Sequence, residues 1–138
     1  RLAQEMARRS GFSGLHHAAG DARHDMPEFS GHVVILDILQ FFTPEEQDRL
    51  LALAASRVAP GGKLIIRSGL RDTSWRYRIT VVGDWLAKLT FWMKAAPVCY
   101  PERAQFEAVL HSAGLVVRTE PLWGGTPFNN YLFVAERE

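Results

Sequence analysis

Val33-Val34-Ile35-Leu36 is the segment that most restricts how this chain can fold. It holds four consecutive apolar residues, three of them β-branched, and ends on Asp37. A half-exposed strand alternates apolar and polar positions. An unbroken run suits a strand covered on both faces, as in a parallel sheet flanked by helices. Thr43, Pro44, Glu45 and Glu46 follow. They form a helix start, with an N-cap hydroxyl, proline at the first position and acids on the positive end of the dipole. Leu50, Leu51, Leu53, Ala54 and Val58 supply an apolar stripe. Ala59-Pro60-Gly61-Gly62 is a tight turn into the apolar segment 63–68. A crossover of this length predicts that strands 33–37 and 63–68 are parallel neighbours with a right-handed connection.

The rest of the chain continues the alternation. Leu2, Met6 and Ala7 fall at helical spacing before Gly11, and Leu15–Ala19 reads as a short strand running into Gly20 and Asp21. Residues 71–95 look helical and unusually aromatic, with Trp75, Tyr77, Trp85, Phe91 and Trp92. Residues 101–113 read as a helix stopped by Gly114. Segments 115–122 and 129–138 read as strands joined through Gly124-Gly125-Thr126-Pro127. The pattern predicts an α/β three-layer sandwich, Rossmann-like, as a single domain over 1–138.

Composition narrows the function classes. A formal charge of +1 gives no electrostatic footprint for nucleic acid. The densest apolar stretch, Thr80 to Pro97, is broken by Asp84, Lys88 and Lys94, so no membrane span is expected. No signal-peptide pattern is present, and the single Cys99 forms no internal disulfide, so a cytoplasmic protein is expected. The chain opens on Arg1 rather than methionine, which together with the order of its motifs reads as a fragment.

Segment 32–68 resembles the middle of class I S-adenosylmethionine-dependent methyltransferases. In that family a buried strand ends in Asp and a short apolar-polar run, here Asp37-Ile38-Leu39-Gln40-Phe41-Phe42. A helix follows, then a Pro-Gly-Gly turn, here Pro60-Gly61-Gly62. Gly20-Asp21-Ala22 occupies the place of the family's adenine-receiving acid and its neighbour. The resemblance covers essentially the whole chain. It implies a parallel sheet with one antiparallel C-terminal strand, and S-adenosylmethionine as cofactor. The family's glycine-rich loop and ribose-binding acid precede the matched region. Gly11, Gly14 and Gly20 do not make G-x-G-x-x-G, so the resemblance implies a sheet whose N-terminal strands are missing. The two absent strands would lie between segments 15–19 and 33–37, which leaves the second of these as an open edge. Three outcomes fit: the strands exist outside this sequence, segment 15–19 moves over, or a homodimer or strand-swapped assembly fills the edge.

The resemblance places the cofactor on Asp21, Ala22, Asp37, Ile38 and Gln40. Asp21 would accept from the adenine amino group beside the Ala22 amide; the other reading is a turn-forming Asp after Gly. The carbonyls of Asp37 and Ile38 would hold the methionine ammonium, with Gln40 and Phe41 walling the site; the other reading is a polar strand end. Arg67, Arg71, Arg76 and Arg78 gather near Trp75 and Tyr77, where the family's acceptor pocket varies with substrate. Arg67, Arg76 and Tyr77 are the candidate substrate contacts, against a reading as solvated arginines on an aromatic helix. Gly61-Gly62 precedes a strand and so is a turn, not a phosphate cradle. His16, His17, His24, His32 and His111 lack partners at metal spacing, so no metal site is expected.

Methyl transfer from a sulfonium needs proximity and alignment more than covalent help, so no nucleophile need be visible. Catalytic residues stay unassigned; a hydroxyl acceptor would need a base, for which Asp37 and Tyr77 are the candidates. Methyl transfer to a small-molecule acceptor is the expected function of the intact protein, with this fragment alone inactive. Two other classes remain. One is a non-catalytic remnant of the fold that acts in association. The other is a nicotinamide-dependent Rossmann oxidoreductase, weakened by the lack of Tyr-x-x-x-Lys.

Overall fold

The computed structural model describes residues 2–11, 14–90 and 95–138. Four strands form one sheet in the order β1-β2-β4-β3, where β1 is Val33–Leu36, β2 Lys63–Gly69, β3 Val116–Pro121 and β4 Asn130–Glu136. β1 and β2 are parallel, with Val33 opposite Leu64 and Leu36 opposite Arg67. β4 is antiparallel to both of its neighbours. Three strands thus share a direction and the last opposes them, the α/β Rossmann-like sheet that the sequence implies.

Local chemistry explains the helices: α1 (Leu2–Arg9), a 3-10 turn (Leu39–Phe41), α2 (Pro44–Ser56), α3 (Trp75–Leu89) and α4 (Arg103–Ser112). At α2 the Thr43 hydroxyl accepts from the Glu46 N–H, and the Glu46 carboxylate accepts from the Thr43 N–H. This reciprocal cap satisfies two otherwise orphaned donors. The Pro-Gly-Gly turn needs both glycines. Gly61 has φ +69, and a Cβ on Gly62 would lie 2.8 Å from the Ala59 carbonyl oxygen and 2.9 Å from that of Gly31.

Alternate sheet positions build the core. Val33, Ile35, Leu64, Ile66, Phe133 and Ala135 are buried together with Leu50 and Leu51 of α2 and Phe106 and Leu110 of α4. The rings of Phe106 and Phe133 sit 5.2 Å apart, and α2 packs against α4.

Three expectations are corrected. β1 is covered on one face only among the described residues, because its alternate side chains Val34 and Leu36 stay 57% and 51% exposed. Residues 15–20 form no strand. A strand exists only through pairing, and among the described residues none lies beside them. The helix expected over 71–95 starts later, at the Ser74 cap, and ends at Leu89. Asp72 stops it from starting earlier by accepting from the Ser74 N–H at 2.8 Å, a side-chain turn that competes with the helix. Phe91 and Trp92 lie outside the described residues.

Candidate functional site

In open α/β sheets, ligands gather at the carboxyl ends of the parallel strands. Here that edge carries Asp37 and Arg67. Asp37 has φ +53, a left-handed conformation that Asp tolerates better than most residues. Its N–H donates to the Arg67 carbonyl at 2.9 Å, and its carboxylate receives the Arg67 guanidinium. The bend aims the chain into the 3-10 turn.

Gln40 closes that turn. Its Nε2 donates to the Asp37 carbonyl at 3.1 Å, while its Oε1 is buried without a partner among the described residues. The Gln40 carbonyl accepts from the N–H groups of Val98 and Cys99 at 2.7 and 3.2 Å. Gln47 of α2 is fully buried, and its Nε2 donates to the carbonyls of Leu39, Phe42 and Cys99 at 3.0, 3.1 and 2.9 Å. One amide therefore ties the turn after β1 to the segment that ends at Tyr100.

A cleft of about 620 Å³ runs along the open edge of β1, between Val34, Leu36 and Ile38 on one side and Gly20, Ala22 and Met26 on the other. Ala22, Met26 and Ile38 also pack against the core, so the walls at this end are apolar and fixed. Asp21 opens a turn, its carbonyl accepting from the N–H groups of His24 and Asp25 at 2.9 and 2.7 Å. Its carboxylate receives the Arg23 guanidinium, and Arg23 reaches on to Glu46 at 3.2 Å. Hydrogen bonds from Arg23, above all from its side chain, hold the Asp21 carboxyl down to about 2. Gly20 is required by close approach, since a Cβ there would meet the Asp25 side chain at 2.8 Å.

The arginines do not gather as the sequence suggests. Arg67 is held by Asp37, Arg71 pairs with Glu102, and Arg76 donates to the Thr126 carbonyl between the rings of Trp75 and Trp123, 4.7 and 4.4 Å from their centroids. Each finds a partner on a different element, which separates them. Tyr77 lies with Tyr100, the ring centroids 5.5 Å apart and edge to face. The Tyr100 hydroxyl donates to Asp84. Burial, then the Asp84 carboxylate, pushes that hydroxyl well above the ordinary phenol range, so it stays protonated. A second cavity, of about 420 Å³, opens beside this pair between α3 and residues 96–100.

The structure therefore brings Asp37, Ile38, Gln40 and Arg67 to one edge, sets Ala22 across the cleft from Ile38 with the Asp21 carboxylate turned to Arg23, outside the cleft lining, and leaves Arg76 apart on the Trp123 side. Sequence reasoning missed Gln47, Asp84 and Tyr100. Gln47 had a signal, a polar residue on the stripe of Leu50, Leu51 and Ala54. Asp84 had a weaker one, an acid inside the densest apolar stretch. Among the described residues no three His, Cys, Asp or Glu side chains lie together as a metal would require, and no helix is long and apolar enough to cross a membrane.

The order and direction of the strands, with the turn after β1, define the fold of class I methyltransferases. Solved structures share it. The magnesium protoporphyrin IX methyltransferase from Synechocystis with bound SAH is 17% identical, with a TM-score of 0.71 over 99% of this chain and 58% of its own. An O-methyltransferase family 2 protein from Planctomyces limnophilus in complex with apigenin is 21% identical, with a TM-score of 0.66 over 99% of this chain and 40% of its own. An O-methyltransferase family protein from Burkholderia thailandensis is 20% identical, with a TM-score of 0.64 over 99% and 40%. The chain thus spans 40–58% of the length of these three structures. No protein-family profile and no curated protein matches the sequence.

Proposed function

We propose that residues 1–138 are part of a class I methyltransferase domain that uses S-adenosylmethionine to methylate a small-molecule acceptor. The observation that carries this reading is the fold match over 99% of the chain to methyltransferases, one of them with SAH bound. Bound S-adenosylmethionine supplies the activated methyl group; this chain's residues hold and orient it.

The residues present fit one part of that group. The buried Oε1 of Gln40, without a partner among the described residues, is an acceptor suited to the methionine ammonium, and it stands beside an Asp37 carbonyl already engaged by the same amide. Ile38 adds a second carbonyl one residue on. Ala22, Met26 and Ile38 offer an apolar slot for adenine. Asp21 would receive the adenine amino group by sharing a carboxylate that now holds Arg23. Arg67, neutralised by Asp37, would line the acceptor side, and Tyr77 would support the cavity beside α3. Arg76 would act on the acceptor only through the loop it fixes at Thr126.

Calorimetry with S-adenosylhomocysteine and NAD separates the readings. In the intact polypeptide, S-adenosylhomocysteine binds and NAD does not; heat from NAD alone, or from neither, overturns the proposal. These 138 residues by themselves hold only the adenine and ammonium contacts, so their dissociation constant is expected to be weaker than about 0.1 mM. A second reading, a fold remnant that acts by association, is favoured by exposed Val34 and Leu36 on the open β1 edge.

A further inference from the structure

α3 presents its apolar stripe to solvent and its polar side chains to the protein. On the inward side Arg76 donates to the Thr126 carbonyl, the Thr80 hydroxyl accepts from the Asn129 N–H at 2.9 Å, and Asp84 accepts from the Tyr100 hydroxyl. On the outward side Trp75, Ile79, Val82, Leu86 and Leu89 stay 38–57% exposed. Their spacing, four and three residues in turn, sets them in one stripe along the helix. A surface helix ordinarily turns such a stripe to the core and its charges to water. The apolar surface also continues beyond the helix. Gly83 lets Phe128 lie against it, since a Cβ there would meet the Phe128 ring at 3.3 Å. Phe128 joins Ile79, Val82 and Leu86 in a shallow apolar groove.

Charge decides what fits this face. Outside the inward row α3 has two charged residues, Arg78 and Lys88, and both are basic. Neither forms an ion pair among the described residues, whereas Arg67 and Arg71 are each held by a carboxylate. The one acid of the helix, Asp84, is turned to Tyr100. The face therefore joins bulky apolar side chains to unpaired positive charge, with no carboxylate to repel an anion. Long basic side chains lay their methylenes on apolar surface and extend their charge outward, to where phosphate would stand. At 15 residues, about 22 Å, the helix is too short to cross a bilayer but long enough to lie along one.

We propose that the outward face of α3 docks on an anionic membrane surface, with the stripe at the boundary of headgroups and acyl chains and Arg78 and Lys88 on lipid phosphates. The docking is independent of the cleft along β1 and of the reaction carried out there.

The test is co-sedimentation of the intact polypeptide with two kinds of vesicle, phosphatidylcholine alone and equal parts of phosphatidylcholine and phosphatidylglycerol. The anionic vesicles are expected to bind about 25-fold more tightly, roughly fivefold for each basic side chain near such a surface. High salt removes that preference. Arg78→Gln with Lys88→Gln brings it to about one and leaves binding to the neutral vesicles unchanged. Val82→Glu with Leu86→Glu lowers binding to both at least about tenfold, because charge then replaces the apolar stripe. All four side chains are exposed, so the variants keep the fold, and unchanged circular dichroism checks this. Val116→Glu, the same exchange at an exposed apolar position on β3, leaves binding as it was. No binding to either vesicle, as when another segment of the polypeptide or a second copy covers the face, overturns the proposal. Equal binding to both vesicles, or binding undiminished in Val82→Glu with Leu86→Glu, overturns it as well. Calorimetry with S-adenosylhomocysteine reports on the methyltransferase reading separately, so either can fail alone.

Discussion

Single residues hold this site in two ways, by backbone conformation and by charge. Asp37 does both. Its left-handed backbone makes the turn after β1, and its side chain neutralises Arg67. Asp37→Gly removes only the ion pair, whereas Asp37→Ala also puts a Cβ-bearing residue without a helpful side chain in that conformation. Chemical denaturation is therefore expected to place the alanine variant about 1 kcal/mol below the glycine variant. Charge dominates at Asp21, which Arg23 holds down to about 2. Its folded value lies below its unfolded value of about 3.9, so the stability from this pair is present above that pH and fades as pH falls toward 2. NMR titration should find the carboxyl midpoint near 2, moving up toward the ordinary value in Arg23→Ala. Asp21 and Asp37 were legible in the sequence as acids following short segments. Their partners were not, because a contact from Asp37 to Arg67 depends on strand register.

At the scale of elements, the sequence was most legible where local and long-range signals agree. α2 has a cap, a first-position proline and an apolar stripe, and it forms from Pro44 as expected. β1 and β2 are parallel neighbours because only one crossover fits between them. Leu15–Ala19 failed because nothing in its own residues supplies a pairing partner. α3 was read too long because the Asp72 turn competes with helix at the level of one hydrogen bond. Gln47 joins elements that no periodicity links. Replacing it with leucine keeps the volume and takes the donor from the Leu39, Phe42 and Cys99 carbonyls. Gln47→Leu is expected to lose about 2–3 kcal/mol of stability in denaturant melts, with the site losing order first. An undiminished midpoint would mean that water replaces the amide.

For the whole molecule, β1 is one of the two edges of the sheet among the described residues. Val33–Leu36 pair with β2 alone among the described residues, and Val34 and Leu36 expose apolar surface beside the free backbone edge. Edges of this kind recruit other strands. The 138-residue chain is therefore expected to self-associate with rising concentration in sedimentation experiments. Val34→Lys, a charge placed on the edge strand, is expected to return it toward a single small species. A wild-type chain that stays monomeric throughout would show that the edge is protected in another way.

The position of β4 has a consequence for synthesis. It is the last of the four strands in chain order, yet it lies inside the sheet between β2 and β3. As the polypeptide emerges, β1 and β2 can pair while β3 has nothing to join, and the interior side of β2 stays open until residues 130–136 arrive. Phe133 and Ala135 arrive with that strand and complete the buried core that Phe106 and Leu110 need. A ribosome that stalls before Asn130 would therefore release a chain without a closed core, not a slightly shorter sheet. Assembly of these four strands is gated by the one that comes last among them in chain order.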